Sequence, residues 1–367
     1  MADDPSTPIS RIRRNTLRAE AGLDRFGEWW RDRTGARRDG TLSPHAGYVH
    51  GDQARVLARA METPTPWVPE DGDGRLANLR GVGSLFRTAE IANAHVRLAG
   101  QGETIVRADA EGYVDAEVRV RPSERTEWDH VRGALISGDV DQPNEAVALP
   151  ILRVGPGARF GVISDIDDTV MRTGAENLAR NLWTTFTGNI HTRHVYEHVP
   201  ALYNGLAHVG GERVNPVFYL SSSPWNLYGM IQGVLEANGV PWGPIFLRDF
   251  GIDETKFIKS THGNHKTGNA LTVMQHFDGL PFILIGDLGQ ADAEIYAGIV
   301  RERPKQVLGV ILHQPSQRAH EAKQRYIREI ADLDIPVIVT VDYADALRFA
   351  EDRGWIDREV STDATVA

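Results

Sequence analysis

The feature that most constrains the fold is a series of short, uninterrupted apolar segments that begins after Gly157 and is broken by helix-like stretches. Strands of a parallel sheet are covered on both faces, so they appear in a sequence as continuous apolar runs rather than as an alternating pattern. Repetition of strand, loop and helix predicts an α/β domain with a doubly wound parallel sheet. The predicted strands are 160–163, 217–220, 245–247, 282–285, 307–312 and 337–341.

The segment 225–238 is the clearest helix of this region. Ser223 precedes it as an N-cap residue, Pro224 occupies the first position, and Gly239 follows its end. Serine oxygens cap helix starts, proline suits the first turn, and glycine is common just past the last turn. A second helix is predicted over 266–277, directly before the fourth strand of the sheet.

The preceding part of the chain, residues 45–155, has the pattern of a small β-sandwich domain. Within 113–120 every second residue is small and apolar, which is the period of a half-buried strand. Turn residues at 109–112 and a strand-like segment at 103–108 predict that these two segments pair as a hairpin. An earlier strand is expected at 54–60.

Residues 1–44 form an amphipathic N-terminal segment, in which apolar side chains recur at helical spacing beside arginines. This helix either docks on the surface of the protein or rests on anionic lipid, and the pattern allows both interpretations. Its apolar positions are Ile12, Thr16, Ala19, Leu23, Phe26 and Trp30. The predicted organisation is an N-terminal helical segment (1–44), a β-sandwich (45–155), an α/β domain (156–355) and a flexible tail (356–367).

Composition excludes several classes of function. A formal net charge of -10 argues against a nucleic-acid partner, which needs a concentrated basic surface. The absence of cysteine excludes disulfides, thiolate metal sites and thiol nucleophiles. No apolar run approaches the roughly 18 residues that span a bilayer, and the first residues lack the apolar stretch of a signal peptide. We therefore expect a cytoplasmic protein, with peripheral membrane contact if the N-terminal helix binds lipid.

Polar residues follow three of the predicted strands, and parallel strands place their carboxyl ends, where active sites lie, along one edge of the sheet. Carboxylates that crowd at such an edge repel one another unless a cation lies among them, and oxygen ligands favour a hard ion such as Mg²⁺. The same groups supply what phosphoryl transfer needs, namely a nucleophile, a proton donor and positive charge. The polar segments are 164–169, 221–224 and 286–292.

These segments resemble the signatures of haloacid dehalogenase-type phosphatases. The resemblance consists of a DxDxT motif that begins at Asp165, the hydroxyl of Ser221 after the second strand, a later lysine, and a GDxxxxD motif with Asp287 and Asp292. It implies a haloacid dehalogenase-like, Rossmannoid fold. It also implies that Asp165 attacks phosphorus, that Asp167 protonates the leaving oxygen and later activates water, and that Ser221 binds the phosphoryl group. By the same resemblance, Asp165, the backbone carbonyl of Asp167, Asp287 and Asp292 hold Mg²⁺.

Three further residues are candidates for substrate binding. Thr169 ends the DxDxT motif, and Ser222 can offer a backbone N–H to a phosphate at a helix start. Arg193 can contact a phosphate or a lipid headgroup, although a solvated surface arginine is an equally good interpretation.

The lysine of the signature set has three candidates. Lys256, Lys259 and Lys266 all lie between the hydroxyl motif and the last aspartates. Lys266 opens the helix predicted directly before the fourth strand, and for this reason it is chosen over the other two.

Longer motifs narrow the resemblance. The segment 160–341 is similar to the actin-patch-associated phosphatidate phosphatase family, relatives of the lipins, in the motifs SDIDDTV, PVFYLSSSPWNLY, FLRDFG and LPFILIGDLGQAD. This family implies Mg²⁺-dependent hydrolysis of phosphatidate to diacylglycerol and phosphate. Two alternatives remain: a phosphatase for a soluble phosphomonoester, because the catalytic residues do not choose the leaving group, and a non-catalytic phospholipid-binding module. Retention of both Asp165 and Asp167 argues against the non-catalytic module.

Overall fold

The computed structural model describes residues 40–62, 90–122, 124–136, 145–172, 195–209, 211–248, 262–314 and 317–357. All of them belong to the compact unit Gly40–Ala367. The predicted N-terminal helix lies outside the described residues, except that 41–44 belong to a strand instead. Most of the predicted flexible tail also lies outside them. None of the described helices is long and apolar enough to cross a bilayer.

The first part of the chain folds into one seven-stranded sheet with its own apolar core. Its strands are β1 (Thr41–His50), β2 (Gln53–Met61), β3 (His95–Gly100), β4 (Gly102–Arg107), β5 (Tyr113–Arg119), β6 (Glu127–Ile136) and β7 (Val147–Arg153). The order is β4-β3-β6-β7-β1-β2-β5, and only the β1–β7 pair is parallel. The sheet curls so that its ends approach, since the backbone N–H of Gln101 donates to the carbonyl of Arg119 (2.6 Å). The predicted sandwich-like β domain is therefore present.

The hairpin predicted between 103–108 and 113–120 is wrong. The turn forms, because the carboxylate of Asp109 accepts hydrogen bonds from the backbone N–H groups of Glu111 and Tyr113. However, β4 pairs with β3 while β5 pairs with β2, which is the early strand predicted at 54–60. An alternating pattern identifies a half-buried strand but not its partner. Here β4 forms a hairpin with β3, the strand just before it, whereas β5 pairs with the distant strand β2.

The six predicted strands of the second part all form, and they build one fully parallel sheet of Rossmann-like type. They are β8 (Gly161–Asp165), β11 (Val217–Pro224), β12 (Ile245–Arg248), β13 (Phe282–Asp287), β14 (Val307–His313) and β15 (Val337–Thr340). Their order is β12-β11-β8-β13-β14-β15. A two-stranded ribbon, β9 (His208–Val209) and β10 (Glu212–Arg213), lies before β11.

Helices cover both faces of the parallel sheet, as a doubly wound fold requires. The described helices are α1 (Val199–Ala207), α2 (Tyr228–Ala237), α3 (His262–His276), α4 (Asp292–Glu302), α5 (Gln317–Ala331) and α6 (Tyr343–Asp352). One apolar cluster joins α1, α2 and α6 to one face of the sheet. A second cluster joins α3, α4 and α5 to the other face.

The start of the predicted 225–238 helix differs from the prediction. A 3₁₀ turn, Trp225–Leu227, precedes α2, and the expected N-cap residue Ser223 still belongs to β11. Its hydroxyl is used elsewhere, as described below. The end of the helix is as predicted, because Gly239 has a positive φ of 65°. The second predicted helix begins earlier than expected, at His262 rather than Lys266.

The first sheet packs directly against the parallel sheet and shares its second core cluster. Tyr48 of β1 is fully buried, and its ring meets the ring of Phe218 edge to face at 5.4 Å between centroids. Leu57 and Leu152 belong to the same cluster. The two sheets therefore stabilise each other through a common apolar interior.

We expect Phe218→Ala to lower the free energy of unfolding by about 3–5 kcal/mol, because it removes a buried ring from this shared core and leaves a cavity. Guanidinium denaturation measures the change. The matched control is Ile105→Ala, at a side chain that is 51% exposed on the edge strand β4, for which a change within about 0.5 kcal/mol is expected. Equal effects of the two substitutions would show that the contact between the sheets does not carry the stability.

Candidate active site

Three adjacent strands bring the polar motifs together at the carboxyl edge of the parallel sheet. Asp165 is the last residue of β8, Ser221 lies in the last half of β11, and Asp287 ends β13. Because β8 lies between β11 and β13, the Asp165 motif occupies the centre of the group. All three side chains are buried. The sequence prediction that these motifs share one edge is confirmed by the sheet order.

Lys266 reaches this group from the second turn of α3, and its side chain is almost completely buried. Its Nζ lies 2.5 Å from Oδ1 of Asp165 and donates a hydrogen bond to Oδ1 of Asp292 at 2.8 Å. Lys266 thus bridges the first and last aspartates of the two motifs. The alternatives Lys256 and Lys259 lie outside the described residues.

The loop after β8 folds back so that Thr169 supports Asp165. The carbonyl of Ile166 accepts hydrogen bonds from the backbone N–H groups of Thr169, Val170 and Met171, which closes a tight turn. Within this turn, the hydroxyl of Thr169 donates to Oδ2 of Asp165 at 3.1 Å. Thr169, expected to bind substrate, therefore contacts the carboxylate of Asp165 in this structure.

Asp167 is held by two serine hydroxyls of β11. Oγ of Ser221 donates to Oδ2 of Asp167 at 2.6 Å, and Oγ of Ser223 lies 3.3 Å from both carboxylate oxygens. Residues two apart in a strand face the same side, so Ser221 and Ser223 point to Asp167 together. The half-buried side chain of Ser222 alternates to the other face, so it does not join Ser221 and Ser223 at Asp167.

Asp287 and Asp292 organise the loop between β13 and α4. The carboxylate of Asp287 accepts hydrogen bonds from the backbone N–H groups of Gly289 and Gln290, while Asp292 accepts one from the N–H of Asp287. Gly286 is required here because a Cβ at this position would lie 2.7 Å from the Cβ of Asp292. The GD dipeptide therefore permits the close approach of Asp292 to the strand end.

Two other side chains anchor the backbone of the Asp165 loop. Nε2 of Gln290 donates to the carbonyl oxygen of Asp167 at 2.6 Å, and Nδ1 of His313 lies 3.2 Å from the carbonyl oxygen of Asp168. A carbonyl oxygen has two lone pairs, so the bond from Gln290 leaves one site on Asp167 for another partner. These contacts fix the loop against β13 and β14.

Burial and mutual repulsion disturb the ionisation of the acidic group. Burial raises the pKa of Asp165 well above its usual range, Asp292 adds to the rise, and Lys266 opposes it. Burial also raises the pKa of Asp167, against the hydrogen bond from Ser221. Burial followed by the charge of Asp292 raises the pKa of Asp287 to about 8.

Lys266 remains charged in this surrounding. Burial alone would lower its pKa, but the neighbouring carboxylates of Asp165 and Asp292 outweigh that effect and raise it above the ordinary value. One ammonium group therefore faces four buried carboxyl groups, and ionisation of more than one of them gives the site an excess of negative charge.

The donor set fits a hard divalent cation. Oxygens of Asp165, Asp287 and Asp292 lie within 4.8 Å of one another, and all three residues are buried. Oδ1 of Asp165 accepts no well-aligned hydrogen bond from the described residues, although Nζ of Lys266 is close to it. Carboxylate oxygens at this spacing, with uncompensated charge, are ligands that Mg²⁺ prefers. The carboxylate of Asp167 does not belong to this group, because it faces the serines.

Three of the residues in this site, Ser223, Gln290 and His313, were not identified by sequence analysis, and one candidate lies outside the described residues. Ser223 was interpreted as a helix cap, although its spacing from Ser221 in an extended strand would have indicated a shared face. Gln290 had no signal beyond its place in the GDxxxxD motif. Arg193 lies outside the described residues.

The fold and the site define a Rossmann-like α/β protein with a buried acid–lysine site at the carboxyl edge of its parallel sheet. Comparison with known proteins agrees with the resemblance found in the motifs: the model of the phosphatidate phosphatase APP1 catalytic domain matches residues 160–314. This part of the chain is similar to that family.

Two curated relatives show how far the similarity extends. Phosphatidate phosphatase APP1 of Saccharomyces cerevisiae is 30% identical over 178 residues, which are 47% of this chain and 30% of the yeast protein. An uncharacterized protein of Schizosaccharomyces pombe is 28% identical over 155 residues, 42% of this chain and 25% of that protein. The matched region thus spans less than a third of either relative.

We expect Lys266→Met to destabilise the metal-free protein by about 3–5 kcal/mol, because it leaves Asp165 and Asp292 buried without their counter-ion. The loss should be larger at about pH 8 than at about pH 5, because buried carboxylates whose pKa is raised in the folded state weaken folding as they ionise. Urea denaturation with a chelator at both pH values measures it. The control is Lys305→Met at an exposed lysine, and a pH-independent loss equal to that control would contradict the buried ion pair.

Proposed function

We propose that the chain is a Mg²⁺-dependent phosphatidate phosphatase that hydrolyses a phosphomonoester through an aspartyl-phosphate on Asp165, with a haloacid dehalogenase-like catalytic domain. The observation that carries the proposal is the convergence of Asp165, Asp167 and Lys266 with Asp287 and Asp292 at one sheet edge, inside the region that matches the phosphatidate phosphatase family. Each of these groups has a part in phosphoryl transfer.

In the first half of the reaction, a carboxylate oxygen of Asp165 attacks phosphorus and forms the aspartyl-phosphate bond. The bond between phosphorus and the leaving alkoxide breaks, and Asp167 donates its proton to that alkoxide. The pKa of Asp167, which burial raises, favours a protonated group that can act as a general acid. The hydroxyls of Ser221 and Ser223 hold its carboxyl group in place.

In the second half, Asp167 has become a carboxylate and acts as general base. It takes a proton from a water molecule, whose oxygen attacks phosphorus and breaks the aspartyl-phosphate bond. Inorganic phosphate leaves, Asp165 regains its carboxylate, and Asp167 regains its proton, so the enzyme returns to its starting state.

Three features prepare Asp165 for attack. Lys266 favours the charged form of the Asp165 carboxyl group against the effect of burial, and Thr169 binds the second oxygen and fixes its orientation. A Mg²⁺ ion held by Asp165, Asp287 and Asp292 would supply positive charge that reduces the repulsion between carboxylate and phosphate. The backbone carbonyl of Asp167 accepts one hydrogen bond, from Gln290, and keeps a second lone pair that can bind the ion.

The substrate class comes from the family rather than from the catalytic groups. The yeast relative is named a phosphatidate phosphatase, and we extend this substrate to the present chain together with a peripheral place at the membrane surface. Hydrolysis of a soluble phosphomonoester would use the same aspartates, because they act on the phosphoryl group and the leaving oxygen and not on the rest of the substrate. A substrate panel therefore decides between the two.

We expect phosphate release from phosphatidate in mixed micelles with Mg²⁺, and a fall of at least about 10³-fold in kcat for Asp165→Asn, because an amide is not a competent nucleophile. The matched control is Asp332→Asn, an exposed aspartate that precedes the amino end of β15 and thus lies at the opposite edge of the sheet. Sugar and nucleotide phosphates complete the panel.

The outcomes separate the hypotheses. Faster turnover of a soluble phosphate than of phosphatidate would reject the lipid substrate while keeping the mechanism. Equal rates for Asp165→Asn and the unaltered protein would reject the mechanism. Liposome binding without turnover under any metal would favour the non-catalytic lipid-binding module.

We expect Mg²⁺ to stabilise the folded protein, and the gain to increase from about pH 5 to about pH 8. The folded pKa of Asp287 is about 8, above the ordinary value of an aspartate, so the metal-free protein loses stability as this carboxylate ionises with rising pH. Because the ligand carboxyl groups must be ionised to bind the cation, Kd falls as pH rises; at a hundredfold excess over Kd the whole gain is about 2.7 kcal/mol. Thermal unfolding with and without Mg²⁺ measures the gain, and an undiminished gain in Asp287→Asn would contradict this site.

A further inference from the structure

A second group of metal-ligand side chains lies between the first sheet and α3. His50 ends β1, Glu117 lies in β5, and His276 is the last residue of α3. Their ligand atoms lie within 4.8 Å of one another. Lys266 precedes His276 by ten residues on the same helix, about 15 Å along its axis, so this group is separate from the acidic site.

The ligand atoms are close to the spacing that a zinc ion requires. Nε2 of His50 lies 3.1 Å from Oε1 of Glu117, and Nε2 of His276 lies 3.9 Å from the same oxygen. Two atoms that each bind zinc at about 2.0–2.1 Å in tetrahedral geometry are about 3.3 Å apart. The rings of His50 and His276 stack at 3.8 Å with an angle of 12°, so at least one ring has to rotate out of the stack for both lone pairs to point to one ion.

A buried hydroxyl orients one of the two histidines. Nδ1 of His276 shares a hydrogen bond of 2.8 Å with the hydroxyl of Tyr48, which is fully buried. Histidine ligands of metals commonly use their second ring nitrogen in this way, since the bond fixes both the ring and its tautomer. A proton on Nδ1 leaves the lone pair of Nε2 directed toward Glu117.

The carboxylate of Glu117 can bind a cation, because the nearby arginine is engaged by another carboxylate. The nearby guanidinium of Arg55 is already engaged by the carboxylate of Asp115, at 2.8 and 2.6 Å. Among the described residues, the ion pairs of Glu117 are those with His50 and His276.

An ion from solvent can reach the group. The side chain of Glu117 is 48% exposed, and those of His50 and His276 are 17% and 20% exposed. This leaves room for a water molecule as the fourth ligand. Two imidazole nitrogens and one carboxylate oxygen match Zn²⁺ and similar borderline ions, whereas Mg²⁺ prefers an all-oxygen set.

We propose that His50, Glu117 and His276 bind Zn²⁺, or a borderline divalent ion of the same kind, and that this ion clamps the first sheet to the carboxyl end of α3. Such a clamp would tie the helix that carries Lys266 to the neighbouring β domain. The proposal does not depend on the proposed function, because the ligands are outside the acidic site.

The test is zinc titration of the metal-stripped full chain in the Asp287→Asn background, with excess Mg²⁺, so that the acidic site does not compete. Calorimetry should give one zinc per chain, and thermal unfolding should rise by a few degrees. Glu117→Gln and His50→Ala should each weaken zinc binding at least about tenfold. The matched control is His130→Ala, at an exposed histidine of β6. This variant should bind zinc with the same affinity as the chain without the substitution.

A second readout keeps the test decisive if a variant is unstable. Co²⁺ bound to the chain that keeps His50, Glu117 and His276 should give the strong visible absorption of a tetrahedral site with imidazole ligands. A weak octahedral spectrum, the absence of zinc binding, or a zinc affinity in Glu117→Gln and His50→Ala equal to that of the chain that keeps both residues would overturn the proposal. Any of these would leave the three side chains as an ordinary hydrogen-bonded cluster.

Discussion

The ammonium group of Lys266, buried between Asp165 and Asp292, is the interaction on which the site depends. Without it, the carboxylates of Asp165, at the end of β8, and Asp292, at the start of α4, would meet in a dry interior, where unpaired charge costs several kcal/mol. Because one lysine serves two aspartates, ionisation of the remaining carboxyl groups would give an excess of negative charge that a divalent cation can neutralise. Helix α3 must therefore dock accurately, and its packing is as much a part of the site as the strand ends.

Hydroxyl groups on the buried side of the sheet edge keep this arrangement rigid. Ser164 and Tyr203 share a hydrogen bond of 2.6 Å beneath Asp165, and the hydroxyl of Tyr343 donates to the carbonyl of Thr169 at 2.7 Å. Tyr296 donates in the same way to the carbonyl of Ile285. Burial raises the pKa of each of these tyrosines, so they remain neutral donors. The acidic site is thus supported by buried hydroxyl groups whose hydrogen bonds are satisfied.

The first sheet also supports the acidic site, through its contact with the carboxyl end of α3. Tyr48 packs on Phe218 with its ring and binds His276 with its hydroxyl, so a single residue joins the shared apolar core to the histidine pair. The β domain is consequently not an independent appendage. A change at its contact with α3 acts on the same helix that presents Lys266.

The sequence by itself determined the class of fold, the six parallel strands and the motif residues at their ends, because burial and strand or helix periodicity are carried by each segment alone. It could not assign the partner of strand 113–119. Nor could it show that Ser223 contacts Asp167 rather than capping a helix. Only the tertiary structure decided these points, because they depend on which distant segments pack together and on which side chains their packing brings within a few ångströms.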